Sequence, residues 1–289
     1  MNGIIVVNKE ENYTSRDIVN IVSKALKTKK VGHTGTLDPM ATGVLVICVG
    51  KATKLVEILM DHDKEYIAEV CLGVNMDTLD ITGNILNEED INISKEDIVN
   101  VLDSYIKTYD QEVPVYSAVK VKGKKLYEYA RNNKEVKLPK KKVTIHDIKL
   151  IGDVVYKNNK TYFKIKTRVS KGTYIRSLIR DIGKSLNTYG CMTSLIRTRV
   201  GDFSISDAIS LDDIKNNNIK MMDTKLALTN YKQVTTDTKL ENKIKNGSII
   251  PNVYNEEEVL FLDQNGNLLA LYKKYDKNPD FLKPWKMLV

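Results

Sequence analysis

The sequence contains few of the residues that build metal sites and disulfide frameworks. Its 289 residues include three cysteines, three histidines and one tryptophan. The cysteines, Cys48, Cys71 and Cys191, are odd in number, lie far apart and form no C-x-x-C pair. We therefore expect reduced thiols in a cytosol and no zinc site. With so few histidines, a His-rich metal site is not expected either.

Long apolar segments are also missing. The longest apolar runs reach about seven residues, which is too short to cross a bilayer. The first seven residues lack the charged region and cleavage site of a secretory signal, so none is expected. The remaining composition, 42% hydrophobic and 28% charged, is ordinary for a globular protein. The length allows one large domain, or one domain with a smaller companion.

Positive charge is in excess, and one segment carries that excess. The net charge of the chain is +8. Residues 119–142 contain ten basic and two acidic residues, so the net charge of this segment equals that of the whole chain. Tyr127 and Tyr129 are interleaved with the basic residues. This pattern is typical of a segment that grips a nucleic-acid backbone. A solvated basic surface is the alternative interpretation.

Residues 32–43 form a loop that is rich in glycine and hydroxyl side chains. They include three glycines and a proline, so we expect neither a helix nor a strand interior there. The apolar run 44–50 follows directly and predicts a buried strand. The single carboxylate, Asp38, precedes Pro39, which favours an extended backbone at Asp38. This places one carboxylate at a defined angle beside a strand, as in many reactive sites.

Asp38 is the candidate nucleophile or general base. A structural turn in which Asp38 acts as a local cap is the alternative. A buried aspartate needs a cation to stay ionised, and Arg176 and Arg180 follow another glycine-bearing loop. Arg176 is preferred, since residues 171–174 can hold it in place; a surface ion pair is the alternative for Arg176. Asp77 and Asp80 are the possible second carboxylates.

Two further side chains are candidates for contact with a ligand. Tyr66 lies near the start of a predicted strand, where it could stack on a base or accept a proton, although packing is the usual role of such a residue. His33 is flanked by Gly32 and Thr34, so we expect it to be exposed and not part of the core.

Apolar periodicity predicts both strands and helices. Strands are predicted at 4–7, 44–50, 64–73, 143–148, 161–169 and 195–201. Helices are predicted after Thr14 or Ser15, over 94–107 with a capping box at Ser94, and following the turn of residues 170–176. Beyond about residue 235, two β-like runs at 259–262 and 268–272 flank a hairpin turn. We predict a small C-terminal domain there.

Several of these stretches resemble one family when they are taken in order. Residues 32–45, together with 50–54, are similar to the signature of the TruB family, the bacterial tRNA pseudouridine-55 synthases. Residues 64–68, 72–80, 116–120 with 126–128, 170–178 and 195–201 resemble further family motifs. The resemblance extends over residues 2–212. Three positions depart from the family pattern, which has proline where Glu10 and Val113 stand and threonine at Met76.

The resemblance implies an α+β fold with a mixed, mainly antiparallel central sheet flanked by helices, the pseudouridine synthase fold. It implies a catalytic domain over 1–230, with a basic RNA-gripping insertion at 116–142. A reduced, β-rich PUA-like domain is expected over 235–289. It also implies tRNA as the partner, bound through its T-arm stem-loop, by a cytoplasmic monomer that needs no cofactor or metal.

The resemblance assigns a role to individual residues by position. Asp38 matches the catalytic aspartate, Tyr66 the tyrosine stacked on the target uracil, and Arg176 the arginine paired with the aspartate. His33 matches a histidine that fills the space left by the everted base, and Leu195 an apolar residue at the pocket floor. The residues expected to bind or position the RNA are Lys9, His33, Tyr174, Leu195, Lys120, Lys140, Lys141 and Lys142. Lys9 matches a lysine that supports the loop.

Two functions from other classes remain open on the sequence. A non-catalytic protein that helps tRNA fold would use the basic segment but would not need Asp38. A nucleoside hydrolase would release uracil instead of retaining it. The sequence also leaves open whether Asp38 attacks C1′, attacks C6 or removes a ribose proton.

Overall fold

The computed structural model describes residues 1–132 and 134–289. The chain has an α+β fold in which helices cover a large sheet and a smaller sheet follows. In the described residues the helices are α1 (Ser15–Ala25), α2 (Val56–Met60), α3 (Lys95–Ser104), α4 (Leu126–Arg131), α5 (Ile175–Ser185), α6 (Leu211–Lys215) and α7 (Thr238–Lys245). None of these helices is long and apolar enough to cross a membrane.

The strands fall into a large sheet, a C-terminal sheet and two short hairpins. In chain order they are β1 (Gly3–Lys9), β2 (Val31–His33), β3 (Thr42–Val49), β4 (Lys64–Leu72), β5 (Val74–Met76), β6 (Ile85–Glu88), β7 (Thr108–Glu112), β8 (Lys120–Val121), β9 (Lys124–Lys125), β10 (Lys140–Lys157), β11 (Lys160–Val169), β12 (Gly190–Val200), β13 (Phe203–Ser204), β14 (Lys232–Thr235), β15 (Ile250–Pro251), β16 (Glu258–Leu262), β17 (Leu268–Tyr275) and β18 (Asn278–Met287).

The large sheet has the strand order β1-β3-β12-β4-β11-β10-β7, with β2 paired to β3 and β13 paired to β12. The β3–β12 pair is parallel and the other pairs in this sheet are antiparallel. The mixed, mainly antiparallel sheet predicted from the sequence is therefore confirmed. Because β12 joins β3 to β4, it brings the loop before β3 close to the centre of the sheet.

Helices α1 and α5 are placed by their apolar faces. Thr14 caps α1 in a capping box with Asp17, and the helix buries Ile18 and Val22 against β1 and β3. Helix α5 buries Leu178, Ile179 and Ile182 against β4, β11 and β12. At about 25 cal/mol per Å² of buried apolar area, burial of these faces fixes which side of each helix packs on the sheet.

The C-terminal sheet has the order β14-β16-β17-β18-β15 and a core of its own around Phe261 and Tyr272. Its other apolar face packs onto the large sheet, where Leu260 and Leu271 join the cluster of Val44 and Val46. The hairpin turn predicted between the two β-like runs is present. Strand β18, which follows β17, was not predicted.

The structure differs from the sequence predictions at several element boundaries. The 32–43 loop is shorter, because Gly32 and His33 pair in β2 and Thr42 opens β3. The helix predicted to end at Lys107 ends at Ser104. The strand predicted at 143–148 begins instead at Lys140, since its first residues pair with the unpredicted edge strand β7.

Candidate active site

Lys9 is buried next to the loop of residues 34–41 and supports it. Its ammonium donates hydrogen bonds to the carbonyl oxygens of Tyr13 (2.7 Å), Glu10 (2.9 Å) and Pro39 (3.2 Å). Burial lowers the pKa of Lys9 to about 8. Because Lys9 is 0% exposed, the prediction that it binds RNA is corrected here: its contacts are with the protein backbone, and they shape the loop.

Ser15 and Arg197 hold the same loop from the side. The Ser15 hydroxyl accepts a hydrogen bond from the Leu37 N–H at 2.9 Å, and Arg197 donates from Nη2 to the Gly35 carbonyl at 3.1 Å. Gly43, the second residue of β3, has a φ of +98°, and a Cβ there would collide with the backbone of Arg197. This close approach explains why glycine is needed at the end of the loop.

Asp38 and Arg176 form the ion pair predicted from the sequence. Oδ2 of Asp38 lies 3.0 Å from Nη2 of Arg176. The same nitrogen donates to the Tyr116 carbonyl at 3.1 Å. Nη1 of Arg176 donates to the Thr78 carbonyl at 2.9 Å and lies 3.3 Å from a carboxylate oxygen of Asp80. The guanidinium therefore has four acceptors around it and is fixed in its plane.

The two carboxylates beside Arg176 differ in their access to solvent. The Asp38 side chain is 39% exposed and the Asp80 side chain is 5% exposed. Asp80 also accepts hydrogen bonds from the Thr78 and Thr82 hydroxyls. Asp38 can thus reach a ligand in the cavity, whereas Asp80 is buried and orients the guanidinium of Arg176.

A cavity of about 320 Å³ opens beside Asp38. Its walls include Tyr66, Tyr174, Arg176 and Leu195, so the structure brings together five residues predicted from the sequence. Among the described residues that line this cavity, Asp38 is the one carboxylate. Apolar and aromatic walls beside the Asp38–Arg176 pair suit a flat, neutral ring next to a reacting bond.

The other predicted RNA contacts lie outside this cavity. His33 is half-buried on β2, against our expectation that it is exposed, and its Nδ1 accepts from the Gly35 N–H at 3.3 Å. Burial lowers the pKa of His33. Lys120 is exposed on β8, while Lys141 extends over Gly172, where its ammonium occupies the space that a Cβ would take. Gly172 lines the cavity, so Lys141 lies at its rim.

Lys140 and Lys142 are exposed on either side of Lys141. Side chains alternate along a strand, so these two lysines point to the face opposite Lys141. The resemblance implied that all three lie at the end of the basic RNA-gripping insertion, residues 116–142. The structure places them in β10 instead, opposite Glu112, Gln111 and Asp110 of β7.

Some candidate residues could not be assigned from the sequence. Asp80 was noted as a possible second carboxylate, but no local pattern indicated that it would pair with Arg176. The buried Thr34 hydroxyl lies in the cavity wall without a hydrogen-bond partner in the described part of the chain. Within the described residues, no group of three or more His, Cys, Asp or Glu could hold a metal ion.

The Asp80→Asn variant tests whether Asp80 orients Arg176. Asparagine keeps the shape and one acceptor but removes the charge, and a hydrogen bond to a charged group contributes about 1.5–3 kcal/mol. We expect kcat to fall about 10- to 100-fold, with KM little changed. Steady-state kinetics check this. An unchanged kcat would mean that Asp80 does not control the arginine.

The fold defines the class of protein. The chain superimposes on a solved structure described as a Cbf5-Nop10-Gar1 complex with a TM-score of 0.73 and 22% identity, over 99% of this chain and 85% of the other. This likeness concerns the fold alone. The α+β architecture is the pseudouridine synthase fold, as the sequence predicted.

Sequence comparisons identify the family within that class. Residues 23–175 match the model of the TruB family pseudouridylate synthase N-terminal domain, and residues 176–234 match the tRNA pseudouridylate synthase B C-terminal domain. The chain is 39% identical to tRNA pseudouridine synthase B of Bacillus cytotoxicus, over 100% of this chain and 98% of that protein. It is 44% identical to the Clostridium tetani protein of the same name, over 86% and 85%. The chain belongs to the TruB family of tRNA pseudouridine synthases.

Proposed function

We propose that this enzyme isomerises uridine 55 in the T-loop of tRNA, with Asp38 as its single catalytic aspartate. The observation that carries the proposal is the ion pair at the cavity: Asp38 is the carboxylate that reaches the cavity, and Arg176 holds it at 3.0 Å. A reaction that forms and releases one bond needs one such group. Glycoside hydrolases, by contrast, typically use two carboxylates in the same cleft.

The target uridine enters the cavity after it is everted from the RNA loop, at a cost of a few kcal/mol for unstacking. Bases in single-stranded loops are the ones accessible to proteins in RNA. Tyr66, with 8% of its surface exposed, offers its ring for stacking, and Leu195 closes the floor. These walls exclude water and retain the free uracil in the cavity.

Asp38 promotes cleavage of the N1–C1′ bond of the bound uridine. The freed uracil turns within the cavity and rejoins the same C1′ through C5. The C5 proton leaves last and N1 gains a proton, so the product is an isomer of the substrate. Tyr66 is positioned at the ring and is proposed to help remove the C5 proton.

The test is to incubate the protein with a T-arm stem-loop and map any pseudouridine. We expect pseudouridine at position 55 and none in a stem-loop that carries cytidine there. Released uracil would indicate a nucleoside hydrolase instead. Binding without any modified base would indicate a non-catalytic protein that helps tRNA fold.

The basic segment, residues 119–142, is proposed to grip the T-arm. Its last three residues are the start of β10. Lys141 lies at the cavity rim, while Lys120, Lys140 and Lys142 are exposed nearby in the chain. A lysine that neutralises one phosphate releases its counterions, so binding weakens as salt rises. We propose that the enzyme acts as a monomer on cytoplasmic tRNA.

Neutralising Lys140, Lys141 and Lys142 together with glutamine should weaken tRNA binding and flatten its salt dependence. Each phosphate contact contributes about 0.7 to 0.9 to the slope of log K against log salt, so the slope should fall by about two. Binding titrations at several salt concentrations measure it. Lys157→Gln, at the far end of the same strand, is the control. A slope unchanged in the triple variant would show that these lysines do not touch the backbone.

We also propose the domain division expected from the sequence, with the catalytic unit over 1–230 and a PUA-like unit over 235–289. Strand β14 begins at Lys232, and the following sheet has its own apolar core. Such a separate core is what an independent RNA-binding module would need.

A further inference from the structure

Strand β7 is joined to helix α5 by polar contacts along its length. The Ser177 hydroxyl donates to the Glu112 carbonyl at 2.8 Å, and Arg180 donates to the Glu112 carboxylate at 3.1 Å. Tyr109 donates to Asp181 at 3.4 Å. Hydrogen bonds require defined geometry, which apolar contacts do not. The position of α5 relative to the sheet edge is therefore set more sharply than packing alone would set it.

Gln111 makes the most complete of these contacts. It is 1% exposed. Its Oε1 accepts from the Tyr174 N–H at 2.8 Å, and its Nε2 donates to the Tyr174 carbonyl at 3.1 Å. Nε2 also donates to the Tyr109 hydroxyl at 2.8 Å. Both amide hydrogens are thus used, and the opposite amide orientation would place an N–H against the Tyr174 N–H.

The Tyr174 peptide is where α5 begins. Tyr174 is the N-cap residue, and no side chain of α5 makes the usual capping bond there. Arg176 is the second residue of the helix, and both Tyr174 and Arg176 line the cavity. Gln111 therefore holds the residue from which the helix carrying the paired arginine starts.

We propose that Gln111 is a positioning residue for the isomerisation: it fixes the Tyr174 peptide and, through it, the guanidinium of Arg176 against Asp38. This inference rests on the proposed function of the cavity. Gln111 does not line the cavity, so it acts through Tyr174 and Arg176 and not on the RNA. A small shift of Arg176 matters because misplacement by about 1 Å can lower a rate about 100-fold.

The test compares Gln111→Met with Ser177→Ala. Gln111→Met removes two hydrogen bonds to Tyr174 and one to Tyr109. Ser177→Ala removes one bond between β7 and α5, one turn away from Tyr174. We expect kcat of Gln111→Met to fall at least about tenfold while KM for the T-arm stays within about twofold. Ser177→Ala should keep kcat within about twofold. Equal kcat losses in both variants, or a change confined to KM, would overturn the proposal.

A double variant shows whether Gln111 acts through Arg176. If it does, Gln111→Met should cause little further loss of kcat in an Arg176→Lys background, because coupled residues are not additive. Multiplicative losses would contradict the proposal. If Gln111→Met does not fold, Gln111→Glu keeps the acceptor for the Tyr174 N–H and removes both donors, and a kcat equal to wild type there would also overturn it. The wild-type enzyme must first form pseudouridine in the same assay, so failure of the proposed function is seen separately.

Discussion

Replacing Asp38 with asparagine should abolish pseudouridine formation and leave tRNA binding within about fivefold of wild type. Asparagine has nearly the same shape but cannot act as a nucleophile or a base, so the loss falls on the chemical step. We expect kcat to fall by at least about 10³-fold, as for other single nucleophiles and bases. Removing the charge leaves Arg176 with its three remaining acceptors, so the fold should persist.

Single-turnover assays with a T-arm stem-loop measure the chemical step, and titration at fixed salt measures binding. Glu65→Gln is the matched control. Glu65 directly precedes Tyr66, but it points to the opposite face of β4 and pairs with Lys166 at 3.3 Å. That variant should turn over like wild type. Isomerisation retained in Asp38→Asn would falsify the assignment of Asp38.

Much of the fold follows from local patterns. The continuous apolar run of β3 and the N-cap of α1 at Thr14 each depend on neighbours in the chain, and both agree with the sequence predictions. The start of β10 could not be predicted in this way. Lys140 and Lys142 have no strand-like pattern, and they are extended because their backbones pair with the distant strand β7.

The site shows the same division between local and distant effects. The loop around Asp38 is visible in the sequence because its glycines, proline and carboxylate are consecutive. The roles of Asp80, Gln111 and Arg197 depend on contacts with residues far along the chain, such as the bond from Arg197 to Gly35. The separation of such residues along the sequence gives no sign of their contact. Only the folded sheet brings them close to the residues that line the cavity. The residues alone favoured Arg176 but left a surface ion pair open, and the resemblance to the family then supported its pairing with Asp38.

Replacing Arg176 with lysine should be the second most damaging change. Lysine keeps the positive charge but offers a compact ammonium in place of a planar guanidinium. It cannot satisfy the Thr78 and Tyr116 carbonyls together with both Asp38 and Asp80, which the arginine contacts at 2.9 to 3.3 Å. We expect kcat to fall about 100-fold, since a misplaced catalytic group costs about that much.

Arg180→Lys is the control for Arg176→Lys, because it shows whether replacing any arginine of α5 by lysine lowers kcat. Arg180 lies one turn further along α5 and pairs with Glu112 and Asp181, away from the cavity lining. Its replacement should leave kcat within about threefold, while urea unfolding reports the stability cost of each variant. If charge alone were needed beside Asp38, Arg176→Lys would retain most of its activity. A large loss in Arg176→Lys that is absent in Arg180→Lys would instead show that the planar guanidinium is needed to hold Asp38 in its orientation at the cavity.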